Sequence, residues 1–469
     1  MRRAKARPRR SAELAVLSAD FGAVDLKTVQ FISVLALLWA ALTALGAFRL
    51  APTLEIHVLP WTQILAQGVL LGLAQGAFGV VAQRLGVSLR LMAFTAGLIF
   101  SVALMAQLVH PWVPYLAPAP LAAALVALFV GRAMGVATNL LVAFVVELLG
   151  PPLAGLIAFA GGLVAIFCVA RFSKLSDLAI GGLEIALANV LVYGSGTLMW
   201  GGFRPDALVW AAASGPLTTL LMMGLLPLAE QITQKTSPLG LMELLNPLHP
   251  LLDLLREKAP GTYHHSFTVA DLSEAAAEAI GADPLLAKVG GYYHDIGKIV
   301  RPEFFLENQQ NGLNPHDKLA PSLSKTIITA HIRDGIELGR RYGLKEDVLQ
   351  FIPQHHGTSV IRYFYLKALR EGQSECSIDD FRYDAELPKT KETAIVMLAD
   401  GIEAASRSIE NGSRIETLVE EAIRERIEDG QLREAPLTLA ELEKIKKAFI
   451  ATLYAMKHGR PVHIPKIVK

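Results

Sequence analysis

A chain of 469 residues that is 52% hydrophobic, with a mean hydropathy of +0.40, is too apolar for an ordinary soluble protein of this length. Its formal charge of +1 excludes a global electrostatic attraction to a nucleic-acid polymer. Its two cysteines, Cys168 in an apolar run and Cys376 in a distant polar loop, exclude a disulfide framework and read as free thiols.

The first ten residues, MRRAKARPRR, are strongly basic. Beyond them, long apolar runs alternate with short loops up to about residue 230. A membrane helix needs about 20 apolar residues, and the candidates are 29–49, 62–82, 90–110, 153–170, 178–200 and 208–228. The run 117–150 is too long for one crossing and carries Arg132 at its middle. It reads as two short helices, 117–131 and 134–149, with a single kinked helix as the competing reading; two helices give about eight crossings and one gives seven. Cytoplasmic loops collect Lys and Arg. With eight crossings the inner loops hold Arg84 and Arg90, then Arg132, then Arg171 and Lys174, whereas the outer loops hold only Arg49 and Arg204. That count puts the basic segment 1–28 and the C-terminal half in the cytoplasm, with a multi-pass anchor at 29–228 in the lipid bilayer of the cell membrane. Segment 29–49 is too long for the apolar core of a signal peptide, and no clean cleavage site follows it.

Residues 229–262 form a connection. Leu and Met recur there at helical spacings, interrupted by Pro247 and Pro250. Two readings stand: helices packed on the following domain, or a linker that transmits motion from the membrane part. Because each proline fixes φ and interrupts helix hydrogen bonding, the linker reading is of a rigid elbow. From 263 to 469 the apolar residues recur at three and four, strand alternation is scarce, and the length suits one all-α domain. The whole chain is therefore expected to be all-α: a transmembrane helical bundle followed by a helical domain.

The chain holds 12 histidines. An even spread would put roughly three of them in 249–356; eight are there, His249, His264, His265, His294, His316, His331, His355 and His356. His265, the pair His294–Asp295, His331, the pair His355–His356 and Asp400 fall on successive predicted helices, and an antiparallel bundle can aim them all at one core site. Imidazole with carboxylate suits iron, manganese or zinc. Asp295 has two oxygens with which to bridge two ions. Asp400 interrupts the apolar face of IVMLADGIEAA, where a buried carboxylate is costly unless a cation compensates it. Lys298, three residues after Asp295, is placed to hold a phosphate.

These motifs, APGTYHHS, GYYHDIGK, ENQ followed by NPHDKLAPSLS, QHHGT and MLADGIEAASRS, resemble the HD-domain metal phosphohydrolases. More closely, they resemble the 7TM-HD membrane proteins of the PgpH-type cyclic-di-AMP phosphodiesterase family. The likeness covers about 235–465 strongly and the membrane helices more loosely. It implies a cytoplasmic HD domain with two divalent metal ions, commonly iron or manganese, that hydrolyses cyclic di-AMP to linear pApA with a metal-activated hydroxide. Carried over by motif, His265, His294, Asp295 and Asp400 hold one ion, and Asp295 bridges to a second held by His331, His355 and His356. Asp295 and Lys298 are the catalytic pair, with Lys298, His316 and Tyr363 as candidate substrate contacts. His264 is expected outside the ligand set, and His458 and His463 are expected to be structural or at the surface.

Two departures from the family pattern stand out. The interval after the first apolar run is only RLAPTLEIHVLP, where the family has a large extracellular domain, so the sensory input is absent or moved into the bundle. FRYDAELPKTKE replaces a loop rich in Pro and Gly. The Gly-Tyr-Pro element of cyclic-di-GMP enzymes is missing after His356, where GTSVIRYF stands. The rival readings are an HD phosphohydrolase acting on cyclic di-GMP, a dNTP or (p)ppGpp, and a non-enzymatic nucleotide-binding membrane receptor. A homo-oligomer is left open.

Overall fold

The structure, a computed structural model, describes residues 48–50, 56–58, 61–172, 174–309, 314–372, 375–407 and 414–458. The basic segment 1–28 and all but the last two residues of the run 29–49 lie outside the described residues, as does His463. The chain forms two compact units, Met1–Thr233 and Gln234–Lys469.

In the first unit, β1 (Phe48–Leu50) and β2 (Ile56–Val58) pair antiparallel, with Phe48 opposite Val58 and Leu50 opposite Ile56. Ile56 and Val58 are β-branched residues alternating with His57, a pattern that suits a pleated strand. Seven helices follow among the described residues: α1 (Trp61–Arg84), α2 (Leu89–Val109), α3 (Ala119–Phe129), α4 (Arg132–Leu149), α5 (Ala154–Val169), α6 (Leu175–Trp200) and α7 (Pro205–Thr233). Of these, α2, α4, α6 and α7 are long and apolar enough to cross a membrane.

The run 117–150 does divide in two. Gly131 has φ +134°, a conformation that glycine adopts at little cost, and Arg132 opens the second helix. The first of the pair is shorter than expected. Its 11 residues span roughly 16 Å, about half of a hydrocarbon core about 30 Å thick. It is Ala-rich and buried almost throughout, and it packs closely on α4 because Gly135 leaves no room for a Cβ against Ala127. The His110 ring, just after α2, lies against Gly150, just after α4. Both ends of the α3–α4 hairpin therefore sit at one end of the unit.

Side chains lock α5 in place. Asn139 Nδ2 on α4 donates to the Phe159 carbonyl at 2.9 Å, and Asn189 Nδ2 on α6 donates to the Ala211 carbonyl on α7 at 3.2 Å. Their two Oδ1 atoms press on α5 at Gly162 and Gly161, where a Cβ would collide with them. At the start of α5, Glu147 accepts the Gly155 N–H at 2.6 Å, so a carboxylate meets the positive end of the helix dipole.

The second unit begins with α8 (Pro238–Leu244) and α9 (Pro250–Lys258). Pro250 opens α9, where a missing N–H costs nothing, and the His249 ring accepts the Leu251 N–H at 3.3 Å. Leu241, Leu251, Leu252 and Leu255 are buried in one cluster with Val289, Tyr293 and Ile296. The part of the connection formed by α8 and α9 is therefore folded onto the helical domain. Thr236 is tied to the same domain, through its N–H and hydroxyl, to Asp347 at 2.7 and 2.8 Å. The remaining helices are α10 (Pro260–Ile280), α11 (Pro284–Tyr293), α12 (Pro321–Arg341), α13 (Glu346–Leu349), α14 (Phe351–Gln354), α15 (Arg362–Arg370), α16 (Lys391–Ser406), α17 (Ile415–Glu428) and α18 (Leu439–His458). The apolar faces of α10, α16, α17 and α18 meet in a core of Val269, Leu272, Ile395, Ile402, Val419 and Phe449.

Candidate metal centre

Five helices and their ends bring the predicted residues together. His265 lies on the buried face of α10. The chain leaves α11 at its C-cap, His294, and Asp295 follows with φ −112° and ψ 14° at the entry to a 3-10 turn, Ile296–Val300. Gly297 in that turn abuts the His331 carbonyl so closely that a Cβ would overlap it, and this approach lets α12 deliver His331. His355 is the C-cap of α14 and His356 follows it. Asp400 comes from the middle of α16.

Asp295 is the centre of the arrangement. Its Oδ2 faces His294 Nε2 at 3.2 Å and His265 Nε2 at 3.5 Å. Its Oδ1 faces His331 Nε2 and His355 Nε2, each at 3.5 Å. Asp400 Oδ1 lies 3.0 Å from His265 Nε2 and 3.7 Å from His294 Nε2, while its Oδ2 is 3.8 Å from His356 Nδ1. Two overlapping sets result, each with its donor atoms within 4.8 Å of one another: His265, His294, Asp295 and Asp400, and Asp295, His331, His355 and His356.

The outer nitrogens fix the rings. Nδ1 of His294, His331 and His355 bonds the main-chain carbonyls of Gly291, Ile328 and Phe351 at 2.8, 2.6 and 3.1 Å. With Nδ1–H donating outward, each Nε2 faces inward. His294 Nε2, His331 Nε2, His355 Nε2 and Asp295 Oδ1 are buried with no hydrogen bond. Each such orphan costs about 1–3 kcal/mol; His294 Nε2 falls in the first set and the other three atoms in the second, and buried donors without partners in both sets fit divalent cations. Burial pushes His331 down to about 4 and His356 well below the ordinary histidine range, so both are neutral donors. Burial alone would raise Asp295, but the Lys298 ammonium and His294 hold it well below the carboxylate range. Burial would likewise lower His294, yet the carboxylates of Asp295 and Asp400 outweigh it and raise the group to about 9.

Residues 262–405 match the family model of the HD domain, and residues 61–237 match the model described as a 7TM receptor with intracellular HD hydrolase. The chain belongs to the 7TM-HD family. The Bacillus subtilis (strain 168) protein named cyclic-di-AMP phosphodiesterase PgpH is 41% identical over 322 residues, 67% of this chain and 45% of that protein. The Listeria monocytogenes serotype 1/2a (strain 10403S) protein of the same name is 38% identical over 307 residues, 64% of this chain and 42% of that protein. This 7TM-HD chain spans less than half the length of these curated relatives. A crystal structure of the L. monocytogenes PgpH HD domain in complex with cyclic-di-AMP is 44% identical with a TM-score of 0.44, covering 45% of this chain and 99% of that one.

The other candidate residues around this 7TM-HD centre stand in different settings. The Lys298 ammonium lies 2.6 Å from Asp295 Oδ2 and 2.8 Å from Glu307 Oε1, and 5.0 Å from the centre of the Phe305 ring. It is committed to two carboxylates first, and a phosphoryl oxygen would have to share it. His316 is not brought to the cluster: its Nε2 donates to the Phe304 carbonyl at 3.0 Å and its ring packs on Phe364. Tyr363 is exposed on α15. His264 packs edge-on against Tyr263, outside both ligand sets. Sequence reasoning missed Glu403, Glu307 and Tyr383. Glu403 bonds His265 Nδ1 at 2.5 Å. Glu307 accepts from Lys298 and from Thr262 Oγ1, the latter at 3.1 Å. The Tyr383 ring stacks on His356 at 4.2 Å. Glu403 could have been found from its place three residues after Asp400, one turn along the same face; the other two carry no such local signal.

Proposed function

We propose that the chain is a membrane-anchored, metal-dependent phosphodiesterase that hydrolyses cyclic di-AMP to linear pApA. The observation that carries the hydrolytic reading is Asp295, whose two oxygens face two separate groups of imidazoles. The substrate rests on the names of the two bacterial relatives. In this reading His265, His294, Asp295 and Asp400 hold one ion, and Asp295, His331, His355 and His356 hold a second; mixed imidazole and carboxylate ligands suit iron, manganese or zinc, and the family resemblance favours iron or manganese. When bound, paired divalent ions make water a nucleophile at neutral pH and stabilise charge on a phosphoryl group.

The chain's own residues do the rest. Lys298 keeps Asp295 ionised, and Glu307 holds Lys298 against it. The carbonyls behind His294, His331 and His355 keep those rings from turning. His356 and Asp400 have the most exposed side chains of the ligand set, 16% and 12%, so substrate enters from their side. Water forms the new P–O bond as the bond to the 3′ oxygen breaks, and a proton passes to that oxygen. Residues 29–228 anchor the enzyme with its N-terminus and catalytic domain in the cytoplasm, 229–262 connect, and 263–469 carry the chemistry.

The test is incubation of the purified full-length chain, its metal content measured, with cyclic di-AMP, cyclic di-GMP, dNTPs and (p)ppGpp, and identification of products by mass. The proposal predicts pApA from cyclic di-AMP. Turnover of another nucleotide instead would move the assignment to that HD activity, and binding without turnover would make the protein a receptor.

A further inference from the structure

The two ligand sets are not equivalent. His294, His331 and His355 are backed by neutral main-chain carbonyls. His265 alone is backed by a carboxylate, Glu403 Oε2, at 2.5 Å. Glu403 is only 7% exposed, and Arg407 clamps it, with Nε 3.0 Å from Oε1 and a terminal nitrogen 2.8 Å from Oε2. Asp400 and Glu403 on α16 and Arg407 at its C-cap follow one another at intervals of three and four, so one helix face and its end supply a candidate ligand, the brace of another and the lock on that brace. A carboxylate that accepts the outer N–H of a metal-binding histidine fixes its tautomer and orientation and makes its inner nitrogen a stronger donor.

Charge points the same way. The set of His265 and His294 contains two carboxylates, Asp295 and Asp400, whereas the set of His331, His355 and His356 contains only the shared Asp295. Lys298 lies beside Asp295 Oδ2 but is offset by Glu307 on its other side. Arg407 offsets Glu403 in the same manner. The first set keeps the larger net negative charge, and a divalent ion gains more there.

Building on the dimetal reading above, we propose that Glu403, held by Arg407, is a positioning residue for His265, and that it makes the Asp400 side the tighter of two metal positions. The ions then load in order: the position of His265, His294, Asp295 and Asp400 fills first, and that of Asp295, His331, His355 and His356 fills second.

The test is a Mn²⁺ titration of the full-length, chelator-stripped protein in detergent, followed by calorimetry, with the bound metal counted by elemental analysis. Wild-type protein should bind two ions in two separate steps. His331→Ala should abolish the weaker step only. Glu403→Gln should weaken the tighter step by about 10–100-fold and leave the other unchanged, a selectivity that general destabilisation would not produce. Arg407→Gln should weaken the same step by less, and it serves in place of Glu403→Gln if that variant does not fold. Two equal steps in wild type, unchanged affinities in both variants, or equal weakening of both steps would overturn the inference. A wild-type protein that binds fewer than two ions would instead overturn the dimetal reading itself.

Discussion

Lys298 shows how a residue's role follows from its neighbours. It pairs with Asp295 and Glu307 at 2.6 and 2.8 Å, with both Lys298 and Glu307 side chains 12% exposed. Removing one member of a buried pair leaves a charge uncompensated and costs roughly 3–5 kcal/mol, whereas removing both partners costs far less. Lys298→Met and Glu307→Gln should each destabilise the protein by an amount of that order, and the double variant should lose less than their sum, as a double-mutant cycle in chemical denaturation will measure. Additive losses would mean that the pair is not coupled. The seven residues of the two clusters were legible in the sequence because histidines clustered in predicted helices are chemically conspicuous. Glu307 was not, because it lies in a three-residue 3-10 turn with no periodic signal; Glu403 had only its place one turn after Asp400 to mark it, since an acidic residue on an amphipathic helix is ordinary by itself. Their meaning depends on partners 45 and 138 residues away in the chain, Thr262 and His265.

At the scale of elements, packing distances decide function. Gly297 sits against the His331 carbonyl, so Gly297→Ala should push α12 away from Asp295. Metal content should fall and stability drop by about 1–3 kcal/mol, the usual cost of overpacking; metal content equal to wild type would contradict the account. The last helix is pinned by Lys391 to Glu441, and Glu441 also accepts the Thr438 N–H at 2.9 Å. Hydrogen bonds from Lys391 and Thr438 lower Glu441 from its ordinary 4.5 to about 2. A lowered carboxylate contributes stability that is present above its unfolded value and is lost as pH falls toward the folded one. Thermal melts from pH 5 to pH 2.5 should therefore fall less steeply in Glu441→Gln than in wild type, and parallel curves would contradict this.

The helices themselves were largely readable, since apolar runs and three-four periodicity dominate the chain. Their ends were less so. Pro250 reads as a breaker in the sequence yet opens α9, because only the leucines' burial on the helical domain decides which side of the proline is helix. The β1–β2 hairpin escaped notice because two three-residue strands carry almost no periodic signal.

For the whole molecule, the central questions are sidedness and metal. In the proposed topology the α3–α4 hairpin, whose two ends lie at the same end of its unit, contributes an even number of crossings whether α3 traverses the bilayer or turns back within it. The charge distribution then predicts external reporter activity for fusions at 55 and 115 and internal activity at 86 and 174. An external C-terminal fusion would contradict both topology and function, because the nucleotide pool is cytoplasmic. The account as a whole turns on Asp295 as a bridge between two ions, and the metal-to-chain ratio of purified full-length wild type and Asp295→Ala tests it most directly. It predicts two ions in wild type and almost none in the variant, which should keep its helical circular dichroism and lose phosphodiesterase activity. A folded Asp295→Ala protein with wild-type metal content and activity would contradict it.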